Sequence, residues 1–150
     1  MNPFDLTGRL AVVTGAKRGI GYAIAESLAA AGADIIGASA SLDPDASAIA
    51  ERVREIGRDF TGYRVDFADR DAVIDFGEQL ACVGRPIDIL VNNAGTIERS
   101  PAAEHPLELF DQVLQVNLAS QFVLSQAIGR RMLAERHGRI IFTASLLSFQ

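Results

Sequence analysis

The segment Thr14-Gly15-Ala16-Lys17-Arg18-Gly19-Ile20-Gly21 lies between an apolar run and an amphipathic one. Glycines at G-x-x-x-G-x-G spacing in that setting leave backbone N–H groups and a helix N-terminus open to an anion, which suits the pyrophosphate of a dinucleotide. At the end of the next apolar run, a carboxylate would bind the ribose diol of NAD and repel the extra phosphate of NADP. Ser39 stands there instead. Arg18 is placed to reach a 2′-phosphate, and a serine still hydrogen-bonds a plain ribose, so the residues leave NAD and NADP both open. Asp34 begins that run and cannot replace an acid at its end.

These residues need a scaffold that gathers strand ends, and the chain alternates accordingly. Leu10-Ala11-Val12-Val13 suits a strand covered on both faces, and Ile20, Ala23, Ile24, Ser27, Leu28 and Ala31 then recur at helical spacing up to Gly32. A second strand is predicted at 34–38. A helix follows at 44–56, with Ala46, Ile49, Val53 and Ile56 as its stripe and Gly57 as its stop. Next come a third strand at 63–65, a helix at 70–83 built on Val73, Phe76 and Leu80, and a fourth strand at 87–91. A long helix at 107–135 and a fifth strand at 139–143, closed by Ala144 and Ser145, complete the chain. Strands alternating with helices through short links predict an α/β fold. It is a Rossmann-type doubly wound parallel sheet in three α/β/α layers, one domain over 1–150. The fifth strand lacks the helix that would follow and cover it, so the domain is expected to continue past Gln150.

The 150 residues, 49% hydrophobic and 22% charged, suffice for one buried core. A net charge of -5 supplies no basic field for a phosphate backbone, so no nucleic-acid partner is expected. No run approaches the roughly eighteen apolar residues of a membrane span, and Met1-Asn2-Pro3-Phe4-Asp5 lacks a cationic signal-peptide start; the expected location is cytoplasmic. Cys82, alone, forms no internal disulfide and has no cysteine partner for a metal; it reads as a small apolar filler on a helix. No metal is expected. His105 and His137 flank the long helix, and His137, before Gly138, reads as a cap at its end.

Further along, Asp66 and Phe67 follow the third strand, Asn92-Asn93-Ala94-Gly95 the fourth, and Ser145 the fifth. Asn117 falls on the stripe Phe110, Val113, Leu114, Leu124 and Ile128, the face the long helix is expected to bury. An amide there requires a hydrogen-bonding partner, because a buried polar group left unpaired costs a few kcal/mol. Together with Thr14-Gly15-x-x-x-Gly19-x-Gly21, these positions resemble, in order and spacing, the short-chain dehydrogenases/reductases. Two stretches, Asn93-Ala94-Gly95-Thr96-Ile97-Glu98-Arg99 and Ala144-Ser145-Leu146-Leu147-Ser148-Phe149-Gln150, look like the branch that oxidises 2-deoxy-D-gluconate or 2-dehydro-3-deoxy-D-gluconate.

The resemblance implies roles. Gly15, Lys17, Arg18, Gly19, Ile20, Gly21 and Ser39 would hold the pyrophosphate and ribose end of NAD or NADP. Asp66 would accept from the adenine amino group, with Phe67 beside it, and Asn93, Ala94 and Gly95 would pass the cofactor where small residues leave room. Asn117 would distort its helix and hold a water in a proton relay. Ser145 would hold the substrate oxygen, with Ser148 as the alternative. Arg99, in the loop from Glu98 to Pro106, is a candidate for a sugar carboxylate, against a solvated loop charge. The reaction implied is hydride transfer between a nicotinamide and a secondary alcohol or ketone of a small molecule, with a tyrosine as acid/base and a lysine lowering its pKa. The family places that tyrosine roughly a dozen residues past the serine and the lysine four further on, both beyond Gln150. Tyr22 and Tyr63 have no lysine four residues on. A 3-oxoacyl-carrier-protein reductase shares these motifs, and a non-catalytic nucleotide-binding protein lacking the Tyr/Lys pair is the alternative of another class. Family members usually form homotetramers through the long helix.

Overall fold

Five parallel strands, β1 (Leu10–Thr14), β2 (Asp34–Ser39), β3 (Phe60–Arg64), β4 (Ile89–Asn92) and β5 (Arg139–Phe142), form one sheet in the order β3-β2-β1-β4-β5. The computed structural model describes residues 3–145. β1 pairs with β2 from Leu10↔Asp34 to Thr14↔Ala38, and with β4 from Ala11↔Ile89 to Val13↔Val91. The chain winds outward from β1 in both directions, so the C-terminal ends of β1 and β4 meet where the winding reverses, the place open α/β sheets keep for ligands.

Successive residues of a strand point to opposite faces, and both faces here are covered. Val12, Ile36 and Leu90 pack with Val73, Phe76 and Leu80 of α3 (Arg70–Ala81) and Leu124 and Ile128 of α5 (Ser120–Glu135). Ala11, Val13, Ile35 and Val91 pack with Ala25 and Ala29 of α1 (Gly19–Ala30) and Ile49 and Val53 of α2 (Ala48–Glu55). The three-layer α/β/α architecture expected from the alternation is the one observed. Burying such side chains is worth roughly 2 kcal/mol each, and this holds the sheet between its helices.

Several boundaries differ from the sequence-based reading. β3 starts three residues early, at Phe60, because Gly62 lies against the backbone of Pro44 and the strand needs no apolar signal there; a Cβ on Gly62 would stand 2.5 Å from Pro44 Cα. α2 starts at Ala48 rather than Pro44, since the Asp43 carboxylate accepts from the N–H groups of Asp45 and Ala46, each at 3.0 Å, and holds a turn there. The long helix is three pieces in one run: α4 (Leu107–Leu114), a π-helical turn Gln115–Ala119, and α5.

Its buried face also differs from the one expected. Val116, Ser120, Leu124, Ile128 and Met132 are buried, whereas Phe110 and Leu114 are exposed, as are Leu118 and Phe122, each at 64%. Cys82 caps the C-terminus of α3 and is exposed, so it fills no core. At the end of α5, Arg136 takes the left-handed conformation and the His137 N–H closes onto the Met132 carbonyl. The cap is therefore backbone. The His137 imidazole turns instead to Asp88, with Nε2 3.1 Å from its carboxylate.

Candidate active site

The end of β1 is clipped to the end of β4 by one hydroxyl. Thr14 Oγ1 accepts from the N–H groups of Asn93 and Ala94, both at 2.9 Å, and donates to the Val91 carbonyl at 3.3 Å. Asn93 returns the contact, its Nδ2 donating to the Thr14 carbonyl at 3.1 Å, while its Oδ1 accepts from Thr143 Oγ1 beyond β5 at 3.2 Å. Three strand ends are thereby tied at the point where the winding reverses.

α1 is pressed onto this floor. A Cβ on Gly21 would stand 2.2 Å from the Gly15 carbonyl oxygen and 2.6 Å from Asn93 Nδ2, so only glycine permits the approach. Gly19 adopts φ +57, and a Cβ there would meet nothing within 4 Å. Together they press the helix N-terminus against the strand ends while its backbone stays open to an anion.

A cavity of about 610 Å³ opens above these residues. Gly15, Lys17, Arg18, Gly19, Ile20, Ser39, Asp66, Phe67, Asn93, Ala94 and Gly95, all expected from the sequence, line it. Gly21 supports it from below. The sequence reading missed Ala40, Ser41, Ala68, Thr96, Gln112 and Val116, which complete the wall. Thr96 continues the Asn-Ala-Gly run, and Val116 stands next to Asn117, so adjacency was their only signal.

Polar groups in the wall are individually placed. Ser39 Oγ accepts from the Lys17 N–H at 3.1 Å, and the Lys17 ammonium donates to the carbonyl and hydroxyl of Ser41 at 2.7 and 3.0 Å. Asp66 Oδ1 accepts from the Ala68 N–H at 2.9 Å, which shapes the turn after β3 and exposes the carboxylate. Phe67 is buried and its carbonyl accepts from Ser120 Oγ at 2.7 Å. Ser120 Oγ also accepts from Gln115 Nε2 at 3.0 Å, so the turn after β3 is fastened to the π-helical turn.

Asn117 does have the hydrogen-bonding partner that an amide requires, although it is exposed rather than on a buried face. Its Oδ1 accepts from the Thr96 N–H at 2.8 Å and its Nδ2 donates to the Thr96 carbonyl at 2.9 Å. It sits in the middle of the π-helical turn, whose widened register carries its side chain to the chain leaving β4. Asn117 therefore positions the cavity wall without lining it. Ser145 lies three residues beyond β5, exposed, and outside the cavity lining; Ser148 lies outside the described residues. Tyr22, on α1, packs against the core on that face of the sheet, and Tyr63 packs against Phe76 with ring centroids 5.0 Å apart; neither tyrosine lines the cavity.

Asp34 is at the opposite edge of the sheet, as its strand position requires, bonded to Arg85 at 2.6 Å. Burial works against its charge, but the Arg85 guanidinium and the Asp59 N–H prevail and hold its carboxyl below the usual range. Asp43, just past Ser41, is likewise lowered, by the N–H groups of Ala46 and Asp45. Among the described residues no group of three or more His, Cys, Asp or Glu stands together to hold a metal, and no helix is long and apolar enough to cross a membrane.

Residues 9–150 match the family model described as short chain dehydrogenase. The chain is 56% identical over its whole length to a 2-dehydro-3-deoxy-D-gluconate 5-dehydrogenase of Pseudoalteromonas atlantica, covering 59% of that protein. It is 48% identical over 147 residues to the Bacillus subtilis protein of the same name, of which it covers 57%. A crystal structure from Beutenbergia cavernae, described as an NAD(P)-dependent gluconate 5-dehydrogenase with NADP bound at low occupancy, superposes with a TM-score of 0.91 at 43% identity, over 99% of this chain and 58% of that one. The chain thus spans under two thirds of the length of each of these relatives. With its strand order, its glycine turn and its clipped strand ends, the chain belongs to the short chain dehydrogenase family.

Proposed function

We propose that the protein is a nicotinamide-dinucleotide-dependent oxidoreductase that interconverts a secondary alcohol and a ketone on a deoxy sugar acid of the 2-dehydro-3-deoxy-D-gluconate kind. The observation that carries the reading is the cavity itself, an open, phosphate-compatible floor of glycine backbone at the sheet's reversal point, lined by residues from the ends of four strands. The 56% identity to a protein of that name supports the substrate class. When bound, the nicotinamide supplies or accepts the hydride.

Gly19 and Gly21 present N–H groups to the pyrophosphate, with Ile20 between them in the first turn of α1, while Gly15, its own N–H held by the Ala38 carbonyl, turns the chain beneath it. Asp66 accepts from the adenine amino group beside Phe67, and Ser39, Lys17 and Arg18 face the ribose. Asn93, Ala94 and Gly95 leave room for the cofactor to pass. Asn117 fixes this stretch through Thr96, and Ser145, at the same edge of the sheet, holds the substrate oxygen. Leu107, Phe110, Leu114, Leu118 and Phe122, spaced by three and four along α4 and into α5, form an exposed apolar stripe through which copies of the chain assemble as a homotetramer.

Calorimetric titration with NAD and NADP, followed by a spectroscopic assay of cofactor reduction on deoxy sugar acids and of its oxidation on 3-oxoacyl thioesters, tests the reading. Dinucleotide binding with turnover confined to the sugar acids is expected. Turnover of the thioesters instead would reassign the substrate, and binding without any turnover would leave a non-catalytic nucleotide-binding protein.

A further inference from the structure

We propose that Ser120, braced by Gln115, is the positioning residue that sets the separation of two walls of the cavity, and so the affinity for a ligand long enough to touch both; this rests on reading the cavity as a dinucleotide site. One wall is the turn after β3, Asp66 to Ala68, and the other is the chain leaving β4, Asn93 to Thr96. Ser120 is fully buried on the face that α5 shares with Val116 and Leu124, where an unpaired hydroxyl would be destabilising. Its proton goes to the Phe67 carbonyl at 2.7 Å, and its oxygen accepts from Gln115 Nε2 at 3.0 Å. Gln115 Oε1 in turn accepts from Arg70 Nε at 3.3 Å, at the start of α3. Side chains three and four residues apart meet on an α-helix, not those five apart. The π-helical turn, closed by the Ser120 N–H on the Gln115 carbonyl, is what brings Gln115 to Ser120.

The turn that Ser120 holds is stiff in itself and is placed by its anchors. Asp66 accepts from the Ala68 N–H through its carboxylate at 2.9 Å and from the Asp69 N–H through its carbonyl at 3.1 Å. Toward β2 the turn is tied by the Val65 N–H to the Ser39 carbonyl at 3.2 Å, and toward α5 by Ser120. The same stretch of helix holds the other wall. Asn117 grips Thr96, and Gln121 Nε2 reaches the Ala94 carbonyl at 3.4 Å. Both walls are thus fixed to neighbouring residues of one helix, and neither Ser120 nor Gln115 lines the cavity, so these two act only through the walls. A ligand confined to one wall is indifferent to their separation. A ligand that spans both benefits from walls already set apart correctly, because binding then needs no rearrangement.

Calorimetric titration with 5′-AMP, whose base sits on the Asp66 wall, and with NAD and NADP, which reach both walls, separates the two kinds of ligand. Ser120→Ala leaves the Phe67 carbonyl without its donor and should weaken the dinucleotides about tenfold, while 5′-AMP stays within about twofold of wild type. A mere loss of stability would not separate the ligands. Gln115→Met removes only the brace, at a partly exposed position, and keeps the test open where Ser120→Ala fails to fold. It should weaken the dinucleotides about threefold and leave 5′-AMP unchanged. Gln126→Met, which deletes an exposed amide further along α5, should alter neither. Equal losses for 5′-AMP and the dinucleotides, or wild-type affinity for all three in the Ser120 and Gln115 variants, overturn the proposal. A wild-type protein that binds none of the three removes the dinucleotide reading, and the proposal with it.

Discussion

The Asn117 carboxamide grips the backbone of Thr96 on both sides, accepting from its N–H and donating to its carbonyl. The π-helical turn is what brings the two together, and the grip holds the chain leaving β4 at the cavity wall. Asn117→Ala should therefore cost about 1–2 kcal/mol of stability, discounted for exposure, and weaken dinucleotide binding by more than that loss of stability explains. Chemical denaturation and a binding titration on the same preparation check this; a destabilised variant with wild-type affinity would show that the grip is merely structural.

Gly21 and Gly19 should fail in different ways. An alanine at 21 drives its Cβ into the Gly15 carbonyl and should cost about 3 kcal/mol of stability. An alanine at 19 meets open space and should cost only about 1 kcal/mol for its left-handed backbone, yet it puts a methyl beside the cavity and should depress nucleotide affinity. Melting curves paired with binding curves separate the two. Similar stability losses for both variants would contradict the packing described here.

Acid should loosen the sheet at the edge away from the cavity. Asp88 is nearly buried; burial raises its pKa, but the Leu10 N–H, the Arg9 guanidinium and His137 outweigh this and hold the carboxyl below its usual value. A group whose folded pKa is lowered adds stability above its unfolded pKa and loses it as pH falls through the folded one. Stability is therefore expected to decline below about pH 4. Asp88→Ala should remove about 2 kcal/mol at neutral pH and flatten that decline. An unaltered acid limb in the variant would assign the decline to other groups, with Asp34, lowered in the same way, the next to test.

The stripe on α4 and α5 predicts assembly. Leu118→Glu places a charge in its middle and should shift the protein to smaller species in sedimentation velocity, with the melting behaviour of the isolated chain little affected because Leu118 touches no core. A wild-type protein that sediments as a monomer would dispose of the tetramer.

What the sequence revealed, and what it hid, follows from where the signal resides. β1, β2 and β4 were legible because strands covered on both faces must be continuously apolar, and Gly32 and Gly57 mark the helix ends they were read to mark. β3 was legible only at one end, since Thr61 and Gly62 carry no hydrophobic pattern and the pairing is set by β2 and Pro44. The buried face of the long helix was misjudged at Phe110 and Leu114 because periodicity shows which residues share a face and not whether anything covers it. The cavity lining was largely recoverable from motif positions. The hydroxyl of Thr14 and the ammonium of Lys17 were not, since their partners lie on segments whose proximity only the fold creates.

The clip at Thr14 has a kinetic consequence. The N–H groups of Asn93 and Ala94 lie past the end of β4, in a stretch without regular secondary structure, where amides ordinarily exchange with solvent hydrogen quickly. Both are committed to a hydroxyl that belongs to the innermost strand. Their exchange should be as slow as that of Val12 or Leu90, so the floor of the cavity would open to water only when the sheet itself opens.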